Sequence, residues 1–399
     1  MTRVVDEFSV PGFLANGIRV GIKTGRGRDL SLIYSTRPAQ AAGVFTTNCF
    51  KAAPVVLSME RMGQGLAQAI VTNSGNANAA TGAGGYENAV TMGREAARML
   101  GIDENLVMVA STGIIGHPLP IEKISAGMNR LVAGLSSTGI PRAEEAMMTT
   151  DKFPKMACRR VSISGKEVSV CGIAKGAGMI QPNMATMLTY ILTDAVFAGD
   201  GLMKLFKGVV DRTFNAISVD GCMSTNDTAL VLANGLAENK PLVAGTKAYG
   251  AFGDALMNVM EALAKGIVRD GEGATKVIEI VVEDAASVSE ARKIAYAIGN
   301  ANLVKAAFFG GDPNWGRIIS AAGSIAIPLP VDEVQLYFED VLVFAHGRGE
   351  PGQEEELREI MARDDIRITL KVGRGKKSWR IYASDLTFDY VKINSHYRT

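Results

Sequence analysis

The sequence predicts an α/β fold with mixed sheets, and three observations predict it. Strand-like runs at 168–174, 187–192 and 277–282 alternate along the chain with stretches of helical period at 89–100, 202–214 and 255–267. The 399 residues, 47% hydrophobic and 21% charged, suffice for one large α/β unit or two domains with well-buried cores. Near the end, Ile366, Ile368, Leu370 and Val372 alternate with Arg367, Thr369 and Lys371, a strand with one buried face. A glycine-rich hairpin turn at 373–378 is expected to join it to a second strand, so antiparallel pairs belong in the fold too.

In chain order, residues 12–54 read as short strands and turns, with turn signal Gly25-Arg26-Gly27 and a strand-like run at 42–48. A buried strand at 69–78 runs into a turn carrying Asn73, Asn76 and Asn78, which either satisfy backbone groups locally or line a site. In the helix that follows, Ala89, Met92, Gly93, Ala96 and Leu100 share a face, and Gly101 stands at the C-cap position. The strand at 107–110 ends in Ser111-Thr112-Gly113, and a helix is expected over 144–148. Leu256, Val259, Met260, Leu263 and Ile267 line one face of a further helix, and Ser287 to Glu290 has capping-box spacing.

Composition removes several function classes. With 42 basic and 41 acidic side chains, nothing suggests a nucleic acid or an anionic membrane as partner. No apolar run approaches the ~20 residues of a membrane span, and the first residues carry no apolar signal region, so a cytoplasmic location is expected. Cys49, Cys158, Cys171 and Cys222 lie far apart without a C-x-x-C pair, so neither a zinc site nor a disulfide framework is expected. Three histidines are few for a metal centre or a Ser-His triad. No metal is expected, and a nucleophile activated by other means fits better, such as an N-terminal threonine with its own α-amine as base. Neither 25–27 nor 373–378 has the spacing of a nucleotide-binding loop.

The run from Lys175 through Gly176, Gly178, Pro182, Ala185 and Thr186 to Leu188 is the most informative. Two glycines open it, and Pro182 pushes Gln181 towards an extended backbone. On residues alone, the plainer reading is a tight turn in which Thr186 is an N-cap or a satisfied core hydroxyl. The other reading is a hydroxyl held rigidly towards a cleft.

This run resembles the self-cleavage and nucleophile segment of the glutamate N-acetyltransferase / ornithine acetyltransferase family, and similarity to that family extends from Gly12 to Thr399. Gln181 departs from it, standing where many members have histidine. The resemblance implies an α/β sandwich of mixed sheets between helices, built from two intertwined cleavage fragments. It places the scissile bond at Ala185–Thr186, giving an alpha chain of 1–185 and a beta chain of 186–399 that begins with Thr186 as nucleophile. Thr112 and Gly113 become the oxyanion hole, and Thr149, Lys175, Thr186, Glu272, Asn394 and Thr399 the substrate-binding residues.

The implied activity moves the acetyl group of N2-acetyl-L-ornithine to L-glutamate through an acetyl-threonine, with no cofactor and with acetyl-CoA as an open second donor. The implied assembly is a heterotetramer of two alpha and two beta chains. Two alternatives stand beside this reading. One is a self-processing N-terminal-threonine aminopeptidase or amidase, in which water takes the acyl group. The other is an amino-acid-binding protein that never cleaves.

Overall fold

The computed structural model describes residues 2–4, 8–181 and 187–396. Among them the strands form two mixed sheets, one of nine strands and one of seven, as the α/β reading requires.

The nine-stranded sheet is organised by one long strand, Leu30–Phe45. Its first part pairs with Leu66–Asn76 and its last part with Thr228–Ala233. Between them, Thr36, Arg37 and Pro38 are exposed where the register shifts. A proline can sit there because a bulge asks no amide of it. Sequence reading broke this strand into short pieces for that reason.

On either side of the bulge the strands form two halves with a shared core. Ile33, Ile70, Met108 and Ala110 from one half meet Cys171, Ile173, Leu188, Tyr190 and Leu230 from the other. Alternate residues face outward. Leu32, Val71, Val107 and Val109 pack under helices Ala53–Met62, Gly82–Leu100 and Ile121–Ala133. Val168, Val170 and Ala174 pack under helices Gly201–Arg212 and Lys247–Arg269. Period-two alternation thus gives these strands two buried faces, one towards the other half of the sheet and one towards helices. Helix Ala53–Met62 begins with Pro54 in its first turn, a favoured helix start inside a stretch read as strands and turns.

The seven-stranded sheet buries its own core under helices Val288–Gly299, Asn302–Phe309, Trp315–Gly323 and Glu354–Met361. The strands on either side of the 373–378 turn, Asp365–Lys371 and Lys377–Ser384, are not a hairpin. Strand Val277–Ala285 lies between them, parallel to the first and antiparallel to the second. The turn crosses its end: the Val372 and Arg374 amides donate to the Glu283 and Asp284 carbonyls. A Cβ on Gly375 would stand 2.5 Å from the Ala285 carbonyl oxygen. A local alternating pattern cannot reveal a strand inserted from 90 residues upstream.

The cysteine expectation also needs correction. Cys158 and Cys171 form a disulfide with a Cα–Cα distance of 4.1 Å. Ser164 and Gly165, at φ 51° and 82°, make a two-residue turn between strands Lys155–Ile163 and Lys166–Lys175. The register then sets Cys158 directly opposite Cys171. Separation along the chain hid a pairing that the hairpin creates. Among the described residues, no helix is long and apolar enough to cross a membrane.

Tyr190 is fully buried in the shared core, and its hydroxyl meets the Thr72 hydroxyl at 2.8 Å. Thr72→Val should strand that phenol and cost about 1–3 kcal/mol of stability, read by chemical denaturation. An unchanged midpoint would mean that the bond across the two halves contributes nothing.

Candidate active site

The alternation that builds the shared core also builds a cleft. Thr112 follows Met108 and Ala110 on the inward face of strand Val107–Ile114. Lys175 follows Cys171 and Ile173 on the inward face of strand Lys166–Lys175. Each is the next inward position beyond an apolar run, one in each half, so the two side chains meet. Lys175 Nζ lies 3.3 Å from Thr112 Oγ1 and 2.9 Å from Thr149 Oγ1. An ammonium only donates, so both hydroxyls accept from it and keep their own protons for another acceptor.

Gly113 lines the cleft beside Thr112. With φ at 135° and a would-be Cβ 2.4 Å from the Gly75 carbonyl carbon, it has room for no side chain. The glycine at 113 is therefore fixed sterically by the neighbouring strand Leu66–Asn76.

The facing wall is the turn after helix Lys247–Arg269. The Glu272 amide donates to the Ala177 carbonyl at 2.9 Å, tying this turn to the glycine segment. A Cβ on Gly178 would stand 2.5 Å from the Glu272 carboxylate. Glycine there serves the approach of that carboxylate. Asn394, on the final helix Phe388–His396, donates to Glu272 Oε2 at 2.8 Å. Helix Phe388–His396 thus packs against the cleft and carries Tyr390 to it as well.

Thr112, Gly113, Thr149, Lys175, Glu272 and Asn394 are therefore brought to one cleft. Ala185, Thr186 and Thr399 lie outside the described residues. The residues flanking 182–186 are held by two aspartates that sequence reading did not single out. Asp220 accepts the Met179 and Ile180 amides at 2.6 and 2.9 Å, and Met179 takes a left-handed φ of 60°. Asp227 accepts the Met187 amide at 3.0 Å through one oxygen. Burial pushes Asp227 well above the usual carboxylate range, against the Met187 amide and the Lys175 charge. Cys222 lines the cleft too, but burial and Asp220 raise its thiol pKa, the reverse of what a nucleophile needs.

Below the cleft lies a buried ionic cluster that was also missed. Lys155 Nζ reaches Asp151 at 2.7 Å and Asp270 at 2.5 Å, with all three side chains at most 2% exposed. Asp151 also accepts the Gly176 amide at 2.7 Å and the Thr149 amide at 2.8 Å, and lies 3.8 Å from Lys175 Nζ. Burial alone would raise Asp151, yet Lys175 and Lys155 hold it well below its ordinary range. Burial lowers Lys175, opposed by Asp151. The only sequence signals were Asp151 after the paired threonines and Asp270 two residues before Glu272.

The chain matches the ArgJ family over residues 14–399. It is 48% identical to the arginine biosynthesis bifunctional protein ArgJ of Caldanaerobacter subterraneus subsp. tengcongensis over 392 residues, 97% of each chain. It is 42% identical to the protein of the same name from Bacillus subtilis over 401 residues, 100% of this chain and 98% of that one. Among solved structures, ornithine acetyltransferase complexed with ornithine from Mycobacterium tuberculosis is 34% identical with a TM-score of 0.43. That match spans 47% of this chain and 100% of the other.

Glu144, fully buried, accepts the Lys155 amide at 3.0 Å through one oxygen and, among the described residues, has no hydrogen-bond partner at the other. Burial raises its pKa from 4.5 to about 8. A carboxyl raised in the folded state supports stability below 4.5, and that support is lost as pH rises towards 8. Thermal melts at pH 5.5 and 8.5 (roughly the two ends of that window) should therefore show a larger alkaline loss for the wild type than for Glu144→Gln. Parallel losses would show that Glu144 stays ionised throughout.

Proposed function

Because the chain belongs to the ArgJ family, we propose that it is the arginine-biosynthesis enzyme transferring acetyl from N2-acetyl-L-ornithine to L-glutamate. As a bifunctional member, it also acetylates glutamate from acetyl-CoA. The observation that carries this reading is the Lys175 ammonium between the Thr112 and Thr149 hydroxyls, facing the Glu272 carboxylate across one cleft. A cation at one end and a carboxylate at the other suit a zwitterionic diamino acid.

In maturation, the Thr186 hydroxyl attacks the Ala185 carbonyl and the acyl group passes from nitrogen to oxygen. Water cleaves that ester, leaving an Ala185 carboxylate and a free Thr186 amine. In turnover, the amine takes the hydroxyl proton as Thr186 Oγ attacks the acetyl carbonyl. The Thr112 hydroxyl, whose proton Lys175 leaves available, and the Gly113 amide hold the tetrahedral oxyanion. Collapse expels ornithine, whose amine takes the proton back from the Thr186 ammonium. Glutamate then attacks the acetyl-threonine, and N-acetylglutamate leaves.

The two chains, 1–185 and 186–399, stay together because the nine-stranded sheet interleaves them. Strand Lys166–Lys175 pairs with Leu188–Thr193, and Leu30–Phe45 with Thr228–Ala233. Two such pairs form the heterotetramer, in the cytoplasm.

Intact mass and N-terminal sequencing should show two wild-type fragments, the second beginning at Thr186, and an uncleaved Thr186→Ala variant. A folded but uncleaved wild type would leave the amino-acid-binding reading in its place. Release of acetate without acetylglutamate would indicate a hydrolase. Native mass should correspond to two copies of each fragment.

Thr112→Val removes the hydroxyl while keeping its shape. Its kcat should fall about 10²–10³-fold, with KM changed much less. An unchanged kcat would remove Thr112 from the oxyanion hole.

A further inference from the structure

Two turns from opposite sides of the cleft carry its substrate-facing groups. The 149–151 turn presents Thr149 and, through Asp151, braces the Gly176 amide and the Lys175 charge. The 270–272 turn presents Glu272. A buried lysine joins the two turns. Lys155 donates to Asp151 on one side and to Asp270 on the other. Asp270 in turn accepts the Lys152 amide at 3.1 Å through both oxygens. The Lys155 stem lies along Gly266 of helix Lys247–Arg269, and its ammonium stands 5.2 Å over the Phe153 ring.

We infer that Lys155, through Asp151 and Asp270, is a positioning residue that fixes the separation of Lys175 and Glu272 and so selects the length of the diamino acid. This rests on the proposed reading that the cleft takes such a substrate. Lys155 reaches no cleft atom itself. Its charge is fully buried, and a paired buried charge holds its partners in one geometry because any displacement leaves a carboxylate or ammonium unpaired. A ligand one methylene longer must move one wall against that clamp, and a site of fixed span rejects it.

The test compares calorimetric affinities for ornithine and lysine, one methylene apart, in the wild type, Asp270→Asn and the double variant Lys155→Met/Asp270→Asn. The single change loosens one side of the clamp, and the double removes a charge of each sign to keep the fold. Circular dichroism identifies which variants are folded. The wild type should favour ornithine, and the ornithine-to-lysine ratio should fall about tenfold in the folded variants, chiefly through weaker ornithine binding. A wild-type ratio in the folded variants, or no preference in the wild type, would overturn the assignment. Acetyl transfer by the wild type is assayed separately, so failure of the catalytic reading is seen independently of the affinity ratio.

Discussion

An ammonium buried between two β layers needs partners at every proton, and much of this site follows from that requirement. Lys175 is 3% exposed at the end of a strand whose earlier inward residues are apolar. Two threonine hydroxyls accept hydrogen bonds from it, and Asp151 supplies the nearby countercharge. Asp151 is shared between Lys175 and Lys155, and Lys155 in turn pairs with Asp270 at the start of the second turn. Each group makes the next one necessary, because removing one partner of a buried pair leaves a charge that the interior cannot solvate. The chain of compensation runs from Thr112 to the turn that bears Glu272. Local electrostatics and site geometry are thus the same set of contacts.

The fold class was legible because period-two and helical patterns are properties of short windows. Helix Gly82–Leu100, its Gly101 cap and the Ser287 cap accepting from the Glu290 amide all follow from neighbouring residues. What could not be read was long-range. The insertion of Val277–Ala285 between two strands that look like a hairpin depends on partners 88 to 107 residues apart. The Cys158–Cys171 pairing depends on the register of one hairpin, and the bulge at 36–38 conceals a single strand that spans both halves of a sheet.

The site divides in the same way. Thr112, Gly113, Thr149, Lys175, Glu272 and Asn394 entered by family resemblance, and the structure gathers them in one cleft. Their physical reasons emerge only in three dimensions. Gly113 is glycine because of Gly75, and Gly178 is glycine because of Glu272. The cluster that supports them was not singled out at all. Asp151, Lys155 and Asp270 are ordinary charged residues in sequence, and charged residues are mostly solvated. Only their joint burial sets them apart.

The same logic explains how the chain can tolerate the proposed break. A cut matters to a fold when the new ends are free to peel away from their neighbours. Here the upstream side is held by Asp220 through the Met179 and Ile180 amides, and the Ile180 carbonyl accepts the Val219 amide at 2.9 Å. The downstream side is held by Asp227 through the Met187 amide, and the Met187 carbonyl accepts the Thr228 amide at 3.1 Å. Each flank is thus fixed by both a carboxylate and a backbone bond. Both sets of bonds go to residues 219–228, so a single polar segment holds the chain on either side of 182–186. Beyond it, strand Leu188–Thr193 lies between Lys166–Lys175 and Thr228–Ala233, paired on both edges. Opening the backbone between these anchors removes one covalent bond and none of the described hydrogen bonds. The carboxylates that serve these local turns would therefore let the chain keep its cleft after the proposed cleavage.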